Sequence, residues 1–76
     1  MSCAVRVGKR IMPATIHDIS LGGMGIEGVT DVDRGAILEA ELPTGRRLSG
    51  TIAWTSETRV GIKFNTPLSP GDPLLP

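Results

Sequence analysis

A short polar segment, Asp18-Ile19-Ser20-Leu21-Gly22-Gly23-Met24-Gly25, holds the residue types best suited to chemistry in this chain. A carboxylate such as that of Asp18 can accept hydrogen bonds from two adjacent donors at once, and its charge strengthens them. The hydroxyl of Ser20 can donate or accept. The three glycines allow positive φ and let backbone N–H groups approach an anion. The segment therefore indicates a ligand-binding site, and the alternative interpretation is a tight turn capped by Asp18 and Ser20.

Side chains for catalysis or metal binding are scarce. His17 is the only histidine, and its place on an alternating strand favours a surface imidazole. The single cysteine, Cys3, excludes an internal disulfide and a cysteine-based zinc site, and suits a reducing cytoplasm. Asp31 and Asp33 lack the glycine and terminal glutamate of a calcium loop. Because no nucleophile, base and orienting group converge, we expect neither an enzyme nor a protein with a metal or cofactor.

The charge balance limits the classes of partner. The chain has eight Lys and Arg residues and eight Asp and Glu residues, so its formal net charge is +0. The long-range field that draws a protein onto DNA, RNA or an anionic membrane is therefore lacking, and an anionic ligand must be held by local contacts. Residues 1–7 are too short and polar for a signal peptide, and no apolar run approaches the roughly 20 residues of a membrane helix. We expect a cytoplasmic protein without direct membrane insertion.

The polar segment must be positioned by β-strands, because polarity alternates with period two and no helical stripe is sustained. A length of 76 residues fits one domain. The pattern predicts an all-β, six-stranded antiparallel barrel over residues 3–64 and an irregular tail over 65–76, which holds four of the six prolines. The predicted strands are Cys3–Val7, Met12–Asp18, Met24–Glu27, Ala36–Leu42, Leu48–Ser56 and Val60–Phe64. Short connections favour antiparallel pairing of consecutive strands.

Alternation also predicts which side chains fill the barrel. From the last two strands these are Leu48, Gly50, Ile52, Trp54, Val60, Ile62 and Phe64. The only tryptophan, Trp54, is accordingly interpreted as a core residue or a plug at the barrel end, and not as a platform on which a base stacks.

The polar segment resembles the second motif of the PilZ domain family, which reads Asp or Asn, any residue, Ser, two residues, Gly. Asp18, Ser20 and Gly23 occupy the three named positions, between the second and third predicted strands. The order of strands and turns from Cys3 to Phe64 is also similar to that family. The resemblance implies a receptor for cyclic-di-GMP in which Asp18 accepts from the Watson–Crick edge of guanine, with Ser20, Gly22 and Gly23 beside it.

The family's other motif is a pair of arginines separated by three residues and placed before the first strand. Arginine suits that role because its planar fork binds both guanine and phosphate. Here the spacing occurs at Arg6 and Arg10, which complete the candidate ligand-binding set, but it lies inside the first hairpin. Arg10 and Asp18 are about 26 Å apart along the second strand. In an antiparallel hairpin, the neighbour of the second strand's end is the start of the first, near residues 1–3.

Two functions remain open at this point. The first is a cyclic-di-GMP-responsive binding or effector module, with the arginines supplied by an upstream segment, a partner or a second domain. The second is a degenerate barrel that has lost nucleotide binding and acts as a protein–protein interaction module.

Overall fold

Six segments of alternating polarity form β-strands in the computed structural model, which describes residues 1–76. The strands are β1 (Ser2–Val7), β2 (Arg10–Ile19), β3 (Gly23–Glu27), β4 (Ile37–Glu41), β5 (Arg47–Thr55) and β6 (Arg59–Phe64). The all-β prediction is confirmed. Each predicted strand end lies within two residues of the observed end.

The strands close into a barrel in the order β1-β2-β3-β6-β5-β4, and every neighbouring pair is antiparallel. The predicted pairing of all consecutive strands is therefore wrong for β3 and β4. Tight hairpins use about two to five connecting residues, whereas residues 28–36 form a longer connection between these strands. That connection carries Val29, which is 1% exposed and joins the core. The connection therefore packs against the barrel core and does not form a tight hairpin.

The barrel interior is filled by aliphatic side chains and Phe64. The largest fully buried side chains are Val5, Ile26, Val29, Leu38, Ile52 and Val60. Leu48, Val60, Ile62 and Phe64 are buried as predicted. Side chains thus fill the barrel interior, so a binding site has to lie on the surface.

Two irregularities in the sheet change which side chains face outward. The register shifts between Ile16 and Asp18 in β2 and between Ile52 and Trp54 in β5, so His17 and Ala53 are extra residues in their strands. Such a bulge breaks the strict alternation of faces. Trp54 is consequently 49% exposed, and the prediction of a buried tryptophan is wrong.

The segment after β6 forms turns and is held against the barrel. Leu68 and Leu74 pack on the core, and the Leu68 N–H donates to the Leu21 carbonyl at 2.8 Å. Arg46 donates to both carboxylate oxygens of Asp72, at 2.8 and 2.5 Å, and the Leu74 N–H donates to the same carboxylate at 3.0 Å. These bonds attach the tail to the turn between β4 and β5.

The Asp72 ion pair predicts a change in stability at acid pH. The Arg46 guanidinium, together with the Leu74 N–H, lowers the pKa of Asp72 from 3.8 to about 2. Since the pKa is lower in the folded state, the ionised carboxylate stabilises the fold above pH 4, and this contribution is lost as the pH falls towards 2. Urea midpoints measured from pH 6 to pH 2 should fall less steeply for Asp72→Asn than for wild type. Asp33→Asn, at an exposed position, is the control, and equal slopes for wild type and Asp72→Asn would refute the assignment.

Candidate functional site

The candidate site is an open groove of about 470 Å³ on the outer wall of the barrel. It lies where β2, β3, β6 and β5 are successive neighbours. Four of the six candidate residues from the sequence line it together: Asp18, Ser20, Gly22 and Gly23. Asp18 and Gly23, the first and last residues of the motif, therefore face the same groove.

Arg6 and Arg10 lie outside this groove. Arg6 is exposed on β1, where its backbone pairs with Ile11 and Glu39. The Arg10 guanidinium donates to the carbonyls of Thr30 at 3.0 Å and Asp31 at 2.7 Å, which fastens the connection between β3 and β4. A ligand held at Asp18 would not meet these two arginines on the same chain, and their role in ligand binding stays a prediction.

The start of β1 does lie beside the end of β2, as antiparallel geometry predicts. The Ile16 N–H donates to the Met1 carbonyl at 2.7 Å, and the Met1 ammonium group donates to the Ile16 carbonyl at 3.1 Å. Met1 therefore lies next to a residue only two positions before Asp18.

The β2 bulge and one backbone hydrogen bond position Asp18. After the extra residue His17, Asp18 pairs with Gly25 of β3, and its Oδ1 accepts the Gly25 N–H at 2.7 Å. Oδ2 accepts no hydrogen bond from the protein. Because each carboxylate oxygen has two lone pairs, the exposed carboxylate is fixed in place and still able to accept two further donors.

Ser20 and Gly23 close the tight turn between β2 and β3. The Ser20 N–H and hydroxyl both donate to the Gly23 carbonyl, at 2.9 and 3.3 Å. Gly22, Gly23 and Gly25 do not use the positive φ that glycine allows; the glycines with positive φ are Gly8, Gly28, Gly35 and Gly45. The missing side chain matters at Gly23 and Gly25, where a Cβ would overlap the Ile62 carbonyl and the Asp18 carboxylate, whereas Gly22 has open space beside it.

Two adjacent glycines form the floor of the groove. Asp18, Gly25, Gly61 and Trp54 are successive backbone partners across β2, β3, β6 and β5. A Cβ on Gly25 would overlap the Asp18 carboxylate, and a Cβ on Gly61 would overlap the Trp54 indole. The two glycines therefore make room for the Asp18 carboxylate over Gly25 and for the Trp54 indole over Gly61.

Besides Arg59 and Lys63, sequence reasoning missed Trp54 as a lining residue. The assumption of unbroken alternation assigned it to the interior, whereas the β5 bulge at Ala53 places it in the groove. Gly61 could have indicated that a large side chain lies on this face, because a glycine inside a strand often marks a site where another group approaches closely.

A charged network forms one rim of the groove. Glu27 Oε2 accepts from Arg59 Nε at 3.1 Å, and Glu27 Oε1 lies 3.1 Å from His17 Nε2. The hydrogen bond from His17, followed by that from Arg59, lowers the pKa of Glu27. Glu27 is therefore ionised at neutral pH and holds both partners in position.

Comparison with known proteins identifies one family. The family model described as PilZ domain matches residues 1–74. No curated protein and no solved structure matches the chain. No helix of sufficient length and apolar character to cross a membrane occurs in the structure.

Proposed function

Because the chain belongs to the PilZ domain family, a family of cyclic-di-GMP receptors and not of catalysts, we propose that it is a cyclic-di-GMP-responsive binding module. The dinucleotide occupies the groove and is contacted by Asp18, Ser20 and the Gly22-Gly23 turn. The observation that carries this proposal is that one open groove of about 470 Å³ gathers all four residues.

The Asp18 carboxylate supplies guanine recognition. Guanine presents two adjacent N–H donors on its Watson–Crick edge, and a carboxylate accepts both in a charge-assisted pair. The bond from the Gly25 N–H holds the carboxylate in one orientation before the ligand arrives. A fixed acceptor loses less side-chain entropy on binding than a mobile one, which favours affinity.

The remaining surfaces of the groove match other parts of a nucleotide. The exposed indole of Trp54 offers a π-face on which a base can stack. The exposed Gly22 N–H donates to no protein acceptor and is available to an anionic oxygen. An arginine segment placed ahead of β1, or supplied by a partner, would reach the ligand because Met1 lies beside Ile16. Ordering of such a segment around the dinucleotide would transmit the signal.

Titration calorimetry with cyclic-di-GMP tests the proposal directly. We expect saturable binding, accompanied by a change in the fluorescence of Trp54, the only tryptophan. GMP, which lacks the cyclic diester, is the control ligand and should bind far more weakly. Absence of binding heat at high micromolar dinucleotide, both for this chain and for a variant with two arginines separated by three residues fused ahead of β1, would refute the proposal.

A second function is favoured by the positions of Arg6 and Arg10 outside the groove. In that case the barrel binds no nucleotide and serves as a protein–protein interaction module. Partner binding would then persist in Asp18→Ala and would not respond to cyclic-di-GMP. A partner complex that forms or dissociates on addition of the dinucleotide would exclude this alternative.

A further inference from the structure

The outer face of β6 carries two cations that line the groove. Arg59 and Lys63 both lie in its wall, with Gly61 between them on the same face of the strand. Their Cα atoms are about 13 Å apart at ~3.3 Å per residue. Asp18 is the only carboxylate among the lining residues, and Glu27 on the rim pairs with Arg59, so Lys63 is the lining cation without a carboxylate partner.

Arg59 is held in place while keeping hydrogen-bond donors free. Its Nε donates to Glu27 Oε2 at 3.1 Å, and its NH2 group lies 3.5 Å from His17 Nε2. That imidazole nitrogen cannot donate to Glu27 and accept from Arg59 at the same time, and its 3.1 Å contact with Glu27 is the shorter. The terminal amino groups of the guanidinium therefore remain available to an anion.

Most other arginines of the chain have partners elsewhere. Arg10 donates to two carbonyls, Arg46 pairs with Asp72, and Arg47 pairs with Glu41 at 3.4 Å. Lys63, by contrast, forms no ion pair. With no net charge to attract an anion from a distance, capture depends on cations in the groove itself.

From this geometry we infer that Arg59 and Lys63 are the anion-binding pair of the groove and bind the phosphates of the cyclic dinucleotide. The inference rests on the proposed function and adds to it that this chain supplies phosphate contacts from β6. Asp18 and Trp54 then contact the bases, while the two cations of β6 hold the diester backbone.

The test measures cyclic-di-GMP affinity in Arg59→Ala, Lys63→Ala and the double variant. Each single change should weaken binding about tenfold, as expected for loss of a hydrogen bond to a charged group. The double variant should also show a weaker dependence of affinity on salt, because fewer screened charge contacts remain. Arg59→Lys, which keeps the charge, should recover part of the affinity.

Matched controls exist outside the groove. Arg47 is, like Arg59, an exposed strand arginine paired with a glutamate, and Lys9 is an exposed lysine in the first hairpin turn. Arg47→Ala and Lys9→Ala should leave affinity unchanged. Circular dichroism and urea midpoints establish that every variant is folded before affinities are compared.

A second ligand separates this inference from the proposed function. Cyclic-di-AMP has the same diester ring and lacks guanine, so its binding reports the phosphate and stacking contacts without the pairing of Asp18 with guanine. Binding of cyclic-di-AMP that is lost in the double variant would support the inference even if guanine selectivity failed. If the double variant kept wild-type affinity for cyclic-di-GMP while Asp18→Ala lost affinity, the inference would be overturned. The proposed function would still stand. Failure of both dinucleotides to bind wild type would overturn both.

Discussion

Gly23→Ala is expected to unfold at a markedly lower urea concentration than wild type. A Cβ at this position would overlap the carbonyl oxygen of Ile62 in the neighbouring strand β6. Because that atom belongs to the backbone, relief requires β3 and β6 to move apart. Overpacking of this kind costs about 1–3 kcal/mol, which in a domain of this size corresponds to a fall in Tm of roughly 4–24 °C.

The neighbouring glycine provides the matched control. Nothing lies within 4 Å of a Cβ built on Gly22, and its φ is not positive. Gly22→Ala should therefore be neutral, or stabilising by up to about 1 kcal/mol, because alanine restricts the unfolded chain. Urea unfolding of both variants, compared at equal m-values, measures the difference. Equal midpoints for the two would show that the strand spacing at Gly23 is looser than the structure indicates.

This pair of variants separates two reasons for a glycine in the motif. Gly23 is required by the approach of β6 before any ligand is considered, whereas Gly22 is free of steric demands and exposes its N–H. Gly23 is therefore required for the packing of the barrel, whereas Asp18 and Ser20 are the motif residues whose side chains are proposed to contact the ligand.

The barrel was predictable because its signal is distributed over the chain. Each strand repeats the same period-two pattern, so an error at one residue does not disturb the assignment. Pairing of β3 with β6 was not predictable in this way, because it joins strands far apart in sequence and forms only when the barrel closes. Local patterns define strands, while the path between them is decided by packing.

The site was only partly predictable for a related reason. Asp18, Ser20, Gly22 and Gly23 are adjacent in sequence, so their turn brings them together whatever the rest of the chain does. Trp54 and Arg59 reach the groove through long-range pairing and a bulge that shifts the register by one residue. A single extra residue in a strand reverses the face of those after it, and sequence alternation alone does not reveal its position.

Asp18→Ala is expected to cause the largest loss of ligand affinity of any single change in the groove. Removal of the carboxylate eliminates two charge-assisted hydrogen bonds to guanine and leaves the base donors unpaired. At about 1.5–3 kcal/mol for a hydrogen bond to a charged group, the loss should reach at least 100-fold. The same change removes one exposed bond to the Gly25 N–H, so the cost in stability should not exceed about 1 kcal/mol.

Asp18→Asn separates positioning of the side chain from recognition by it. The asparagine carbonyl can still accept the Gly25 N–H, so stability should return to the wild-type value. Its amide NH2 group faces the guanine donors with a donor of its own and carries no charge, so affinity should recover only in part. Calorimetry and urea unfolding of wild type, Asn and Ala variants give the two quantities separately. If affinity followed stability, with Asn equal to wild type in both, the carboxylate would be a structural cap of the β2–β3 turn, and the guanine contact would have to lie elsewhere in the groove.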